Sequence, residues 1–98
     1  MNPNVHTESL CIDAAHPALP GHFPQAPVVP GVLLLDRVAA AIEREWGLAV
    51  CGFAQVKFRR PLLPQQAAQL TLARDGAVQF RISSDGELLA SGSAELCA

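Results

Sequence analysis

Residues 70–96 read LTLARDGAVQFRISSDGELLASGSAEL, and two Asp-Gly pairs cut the run into three stretches of alternating character. Successive side chains on a strand point to opposite faces, so Leu70 and Leu72, then Val78, Phe80 and Ile82, then Leu88, Ala90, Gly92, Ala94 and Leu96 share the inward face. Thr71, Gln79, Arg81, Ser91, Ser93 and Glu95 take the other. Asp75-Gly76 and Asp85-Gly86 supply the residues that tolerate the positive φ of a tight hairpin. The pattern predicts an antiparallel meander of strands Leu70–Arg74, Val78–Ile82 and Leu88–Leu96, with further strands at Asn4–Ile12 and Phe53–Phe58.

Upstream of Gly47 the pattern differs. Residues 31–46, GVLLLDRVAAAIEREW, run without a breaker and are rich in Ala and Leu, and Gly47 suits the left-handed position that ends a helix. The first three turns are apolar nearly all the way round, which predicts a helix wrapped by other structure, with only Glu43, Arg44 and Glu45 reaching water. One helix and four or five strands leave one economical packing, a sheet curled round the helix and burying it. The expected class is α+β, one domain over residues 1–98. Pro17, Pro20, Pro24, Pro27 and Pro30 each remove a backbone donor, so residues 14–30 form a stiff loop without regular structure.

The chain has 98 residues, 7 Lys plus Arg against 9 Asp plus Glu, a net charge of -2 and 50% apolar residues. That balance lacks the electrostatic footprint of a non-specific nucleic-acid binder, and its apolar content argues against disorder. The apolar run Ala26–Leu35 is broken by Pro27, Pro30 and Gly31 and falls short of the roughly 20 residues that cross a bilayer. With no basic stretch and apolar core at Met1–Thr7, a soluble cytoplasmic protein is expected. Cys11, Cys51 and Cys97 show no C-x-x-C spacing and read as reduced, mostly buried thiols. His6 and His16 read as surface or loop histidines, and no metal-ligand spacing is present.

Chemistry concentrates in residues 22–36, HFPQAPVVPGVLLLD. His22 can titrate near neutral pH. Gly31, at a helix start, offers a backbone N–H with no intrahelical acceptor, no Cβ to bar a carbonyl, and the positive end of the macrodipole behind it. Asp36 interrupts an otherwise apolar run, which costs stability unless the carboxyl is used or paired. The macrodipole favours its anion and the apolar neighbours favour its neutral acid; both roles, proton donor or holder of a hydroxyl, stay open.

This stretch resembles the hot-dog-fold dehydratases that remove water from 3-hydroxyacyl thioesters on acyl carrier protein, whose hallmark is H-F-P-G-x-P-x-x-P-G-x-L-x-x-E/D. His22, Phe23, Pro24, Pro27, Pro30, Gly31, Leu33 and Asp36 match it in spacing, and Phe58-Arg59-Arg60-Pro61-Leu62-Leu63-Pro64 is similar to a later strand end of the family. The resemblance implies a hot-dog domain, a sheet around one long central helix, working as a homodimer or higher oligomer without metal or diffusible cofactor. It implies His22 as base, Asp36 of the neighbouring subunit as second catalytic group, and Gly31 with Val32 as the oxyanion and substrate-binding pair. The product would be the trans-2-enoyl thioester, in fatty acid or specialised polyketide or pigment biosynthesis. Lys57, Arg59 and Arg60 form the dense basic cluster that could steer an acidic carrier protein. Gln25 stands where the family has glycine, and Ala40 where many members carry glutamine. The shared fold and an acid on the helix keep a hot-dog thioesterase in view, and those departures a non-catalytic acyl-binding subunit paired with an active chain.

Overall fold

The computed structural model describes residues 4–12 and 29–97; His16, His22, Phe23, Gln25 and most of the Pro-rich segment lie outside them. Strand β1 is Val5–Leu10, helix α1 is Gly31–Trp46, and strands β2 to β5 are Val50–Phe58, Ala68–Asp75, Ala77–Ser84 and Glu87–Leu96. They form one antiparallel sheet in the order β1-β3-β4-β5-β2. The meander is therefore confined to β3, β4 and β5. β1 adds to β3, with Val5 opposite Ala73, and β2 adds to the far edge beside β5, with Phe53 opposite Ala94. The helix between β1 and β2 carries the chain across the sheet, so these two strands do not meet.

The Asp-Gly turns fall where expected, with positive φ at Gly76, Asp85 and Gly86. Leu72, Phe80 and Gly92 align across three strands, as do Val78 with Ala94 and Ile82 with Ala90, and this row forms the core under the helix. Gly92 is required there. A Cβ at that position would meet the Phe80 ring at 2.7 Å and the Val56 Cα at 3.1 Å, because Phe80 lies across it, its ring nearly perpendicular to that of Phe53. Leu88 departs from the predicted inward set. A register shift between Ile82 and Ser83 places Leu88 opposite Ser83 and leaves Leu89, 4% exposed, in the core. One extra residue in a strand reverses which side chains face inward.

The helix ends as read, with Gly47 at φ 66 donating its N–H to the Glu43 carbonyl at 2.8 Å. Its burial differs from the expectation. Leu33, Leu34, Val38, Ala41 and Ile42 pack on the sheet, while Val32, Asp36, Arg37 and Ala40 are exposed, Val32 by 68%. A single curved sheet covers one side of a cylinder about 10 Å across; the opposite side needs another layer.

The cysteines also differ from the reduced, buried reading. Cys51 on β2 and Cys97 just beyond β5 form a disulfide with Cα atoms 5.2 Å apart, and Cys11 is free and exposed. The antiparallel pairing of β2 with β5, which also bonds Cys97 N–H to the Ala49 carbonyl at 2.9 Å, sets the two side by side.

Charges tie β1 to the helix end. His6 Nε2 donates to Glu8 at 2.8 Å, Arg44 pairs with the same carboxylate, and His6 Nδ1 lies 3.6 Å from Glu45. Burial pushes the Glu8 carboxyl up, but the hydrogen bonds and charges of His6 and Arg44 outweigh it and hold it below its ordinary range. A depressed folded-state value stabilises above the unfolded value and is lost as pH falls through the folded one. Glu8→Gln is accordingly expected to flatten the acid limb of a stability–pH curve below about pH 4.5, read by urea unfolding at stepped pH; an unaltered limb would show that the cluster contributes nothing.

Candidate active site

Pro30 precedes the helix at φ -59 and ψ 140 with no side-chain cap, and its carbonyl accepts the Leu33 N–H at 3.0 Å. The Gly31 and Val32 amides thus stand ahead of the first intrahelical bond, at the positive end of the helix. Phe58 lies over Gly31 so closely that a Cβ there would come within 2.8 Å of the ring. With Val29, Leu34, Pro61 and Leu62, these residues wall a cleft of about 300 Å³, with Arg59 and Arg60 also lining it.

Phe58 is 51% exposed and forms a wall of this cleft. A bulge between Ala54 and Lys57, with Gln55 at φ 56, shifts the alternation of β2. Phe58 then pairs with Ala90 of the core row and faces the helix start, while Lys57 and Arg59 turn to the outer side. In the sequence only the end-of-strand position of Phe58, ahead of Arg59-Arg60-Pro61, hinted at this.

Asp36 is the sixth helical residue, one turn beyond the amides that a first-turn carboxylate would cap, and it is exposed. Val32, Asp36 and Ala40 follow at four-residue steps and share the helix face that the sheet leaves uncovered. His22 lies outside the described residues, but both flanks of its segment are fixed. Gln65 N–H bonds to the Ile12 carbonyl at 2.7 Å and Val29 N–H to the Leu62 carbonyl at 2.8 Å, so both reach the bend that walls the cleft.

The basic cluster is divided. Arg60 pairs with Glu87, whereas Lys57 and Arg59 make no ion pair among the described residues and are joined by Arg81 of β4 on the outer side. Among the described residues no group of three His, Cys, Asp or Glu side chains is placed to hold a metal ion, and no helix is long and apolar enough to cross a membrane.

Comparison with known proteins bears on this geometry. Residues 2–93 match the profile of a family described as ApeI-like, ApeI dehydratase. The chain is 34% identical over 91 residues to the 3-hydroxyacyl-(acyl-carrier-protein) dehydratase FabZ of Streptococcus equi subsp. zooepidemicus, covering 78% of this chain and 65% of that protein. It is 37% identical over 71 residues to the enzyme of that name from Geobacter metallireducens, covering 61% of this chain and 47% of that one. The chain thus spans less than two thirds of the length of these curated relatives. Among solved structures, the dehydratase heterocomplex ApeI:P of Xenorhabdus doucetiae superposes with a TM-score of 0.87 at 26% identity, over 99% of this chain and 90% of that one. A protein from Erwinia carotovora subsp. atroseptica, at 24% identity and TM-score 0.81, shares the fold.

Proposed function

We propose, from the premise that this chain belongs to the ApeI-like dehydratase family and has its hot-dog fold, that it dehydrates a 3-hydroxyacyl thioester carried on acyl carrier protein. The observation that carries this reading is Asp36. It stands on the uncovered helix face, in a run otherwise apolar from Gly31 to Leu35, just over a helical turn from the Gly31 amide. A second subunit laid on that face would bring its own His22 segment to the Asp36 of this one, making a site of two halves.

In such a site the thioester oxygen accepts a hydrogen bond from Gly31 N–H. His22 removes the α-proton, and the electron pair moves onto that oxygen as an enolate, which the amide and the helix end stabilise. As the Cα–Cβ double bond forms, the Cβ–O bond breaks. Asp36 protonates the departing hydroxyl, or holds it while His22 hands on the proton it has taken, so that it leaves as water and the trans-2-enoyl thioester remains. Phe58 and the apolar cleft walls keep water from the enolate.

A second reading has one observation in its favour. The Xenorhabdus doucetiae neighbour was solved as a heterocomplex, so a related, non-identical chain could cover the exposed helix face of this one. The mass of the purified assembly separates a homodimer from a chain that dimerises only with a partner added.

The test of the reaction is direct. A 3-hydroxyacyl carrier protein incubated with the wild-type chain is expected to lose 18 mass units as the enoyl product forms, and His22→Ala to lower the rate about 10²-fold or more, as loss of a general base does. Release of free carrier thiol in place of the enoyl product would assign thioesterase chemistry instead.

A further inference from the structure

The bend between β2 and β3 is held at both ends. Where it leaves β2, the Arg59 and Arg60 N–H groups share the Leu89 carbonyl at 2.7 and 3.2 Å. Where it approaches β3, Leu63-Pro64-Gln65-Gln66 closes a tight turn, and the Gln66 N–H donates to the Leu63 carbonyl at 3.1 Å. Proline in second place and a positive φ in third mark a type II turn, whose third place ordinarily falls to glycine; Gln65 occupies it at φ 66. A residue with a Cβ keeps that conformation only where its surroundings over-determine it. On one side stands the Ile12 carbonyl, which accepts the Gln65 N–H at 2.7 Å. On the other stands the Gln66 side chain, whose Oε1 accepts the Leu63 N–H at 3.0 Å and whose Nε2 donates to Ser84 Oγ at 3.2 Å. Ser84, at the end of β4 and 8% exposed, is the one buried polar side chain among the described residues. It gives its single proton to the Ala67 carbonyl at 2.7 Å, which leaves its oxygen to accept from Gln66.

Leu62 adjoins this turn. Its side chain is buried in the core, and its carbonyl accepts the N–H of Val29, itself buried, at 2.8 Å. Val29 precedes Pro30, whose ring restricts φ and whose ψ of 140 sets the direction of the Gly31 amide. From Ser84 to that amide there runs an unbroken series of hydrogen bonds and short, conformationally restricted backbone. We infer that Gln66, anchored on Ser84, is a positioning residue for the Gly31 amide: it fixes the turn, the turn fixes Leu62, and Leu62 aims the helix start at the thioester oxygen. This rests on the dehydratase reading above. A donor directed at a developing oxyanion acts through its alignment, and misalignment is felt in the transition state more than in substrate binding.

Gln66→Ala in the full chain is the test, read in two independent ways. In the nitrogen–proton correlation spectrum of the substrate-free protein the Gly31 signal is expected to shift, and hydrogen exchange at Val29 to rise about tenfold as its bond to Leu62 loosens. In turnover of a 3-hydroxyacyl carrier substrate, kcat is expected to fall about tenfold with KM held within about twofold, the pattern of a lost transition-state interaction. Ser84→Ala, which strips Gln66 of its anchor, should do the same, and the two losses should not add in the double variant because they break one series. Ser84→Thr keeps the hydroxyl and should restore both readouts; the Ser84 pair carries the test should Gln66→Ala not fold. A Gly31 signal that neither variant moves overturns the inference, as does a wild-type kcat in a variant whose signal has moved, or losses that add in full. A protein whose Gly31 signal responds but whose wild type forms no enoyl product keeps the series from Ser84 to Gly31 and loses the dehydratase reading. A wild type that dehydrates while Gly31 stays unmoved in both variants loses the positioning role alone.

Discussion

Asp36→Asn is expected to lower kcat/KM for a 3-hydroxyacyl carrier substrate by about 10²- to 10⁴-fold, the range of a single acid–base group, while leaving the urea midpoint of the protein unchanged. The two halves of this result come from one fact. Asp36 is exposed on the helix and has no ion pair or hydrogen bond among the described residues, so the isosteric amide removes a carboxyl without opening a cavity or stranding a partner. A residue kept for stability would show the opposite pattern, with unfolding shifted and turnover intact. Unchanged turnover in Asp36→Asn would remove the carboxyl from the mechanism, whatever became of stability.

Mixing inactive variants tests where the two groups meet. If each site takes His22 from one subunit and Asp36 from its mate, a dimer of one His22→Ala chain and one Asp36→Asn chain holds one intact site and one doubly defective site. Random reassortment of equal amounts should then restore about a quarter of wild-type activity, because half the dimers are mixed and each has one working site of two. Activity no higher than that of the separate variants would place both groups in a single chain. The exposed Val32, 68% accessible in the isolated chain, should become protected from solvent in the same assembly.

Much of this architecture was legible in the sequence, and the failures share a cause. The helix was bounded at Gly31 and Trp46 because its signals are local, an unbroken helical run and a glycine free to take the left-handed conformation. The hairpins were found because Asp-Gly dictates φ at the turn itself. What escaped depends on pairing between distant segments. The position of β2 beside β5 is set by the crossover of the helix, and the disulfide follows from that pairing. The bulges at Gln55 and near Leu89 each reverse the alternation of a strand, so Phe58 emerged beside Gly31 and Leu88 turned outward. The bare helix face escaped for a further reason: an apolar helix announces that it will be covered, but not whether its own sheet or another chain will cover it. At the candidate site, motif spacing singled out Gly31 and Asp36, whereas Arg81 carries no motif and joins Lys57 and Arg59 only through the pairing of β4 with β5 and of β5 with β2.

Reduction of the Cys51–Cys97 bond is expected to lower the unfolding free energy by about 4 kcal/mol, the loop-closure figure for the 46-residue separation of the two cysteines. That is a large share of the roughly 5–15 kcal/mol that holds a small domain folded. Urea unfolding with and without a dithiol reductant measures it directly. Cys97→Ser should reproduce the loss and then be indifferent to reductant, which separates the bond from any effect at Cys11, the free and exposed thiol. The loss should be felt first in β2. This strand lies at the sheet edge, joined to β5 alone, and its ladder is already interrupted by two register shifts, so the covalent tie secures an edge element whose backbone pairing is one-sided and broken. Hydrogen exchange on the reduced chain is therefore expected to rise across Val50–Phe58 before it rises in β3 or β4. Because Phe58 sits on that strand, reduction should also loosen the cleft at Gly31. The alternative expectation, reduced thiols of no structural consequence in a reducing compartment, demands identical unfolding with and without the reductant, and that result would remove the bond from any account of how this edge strand is held.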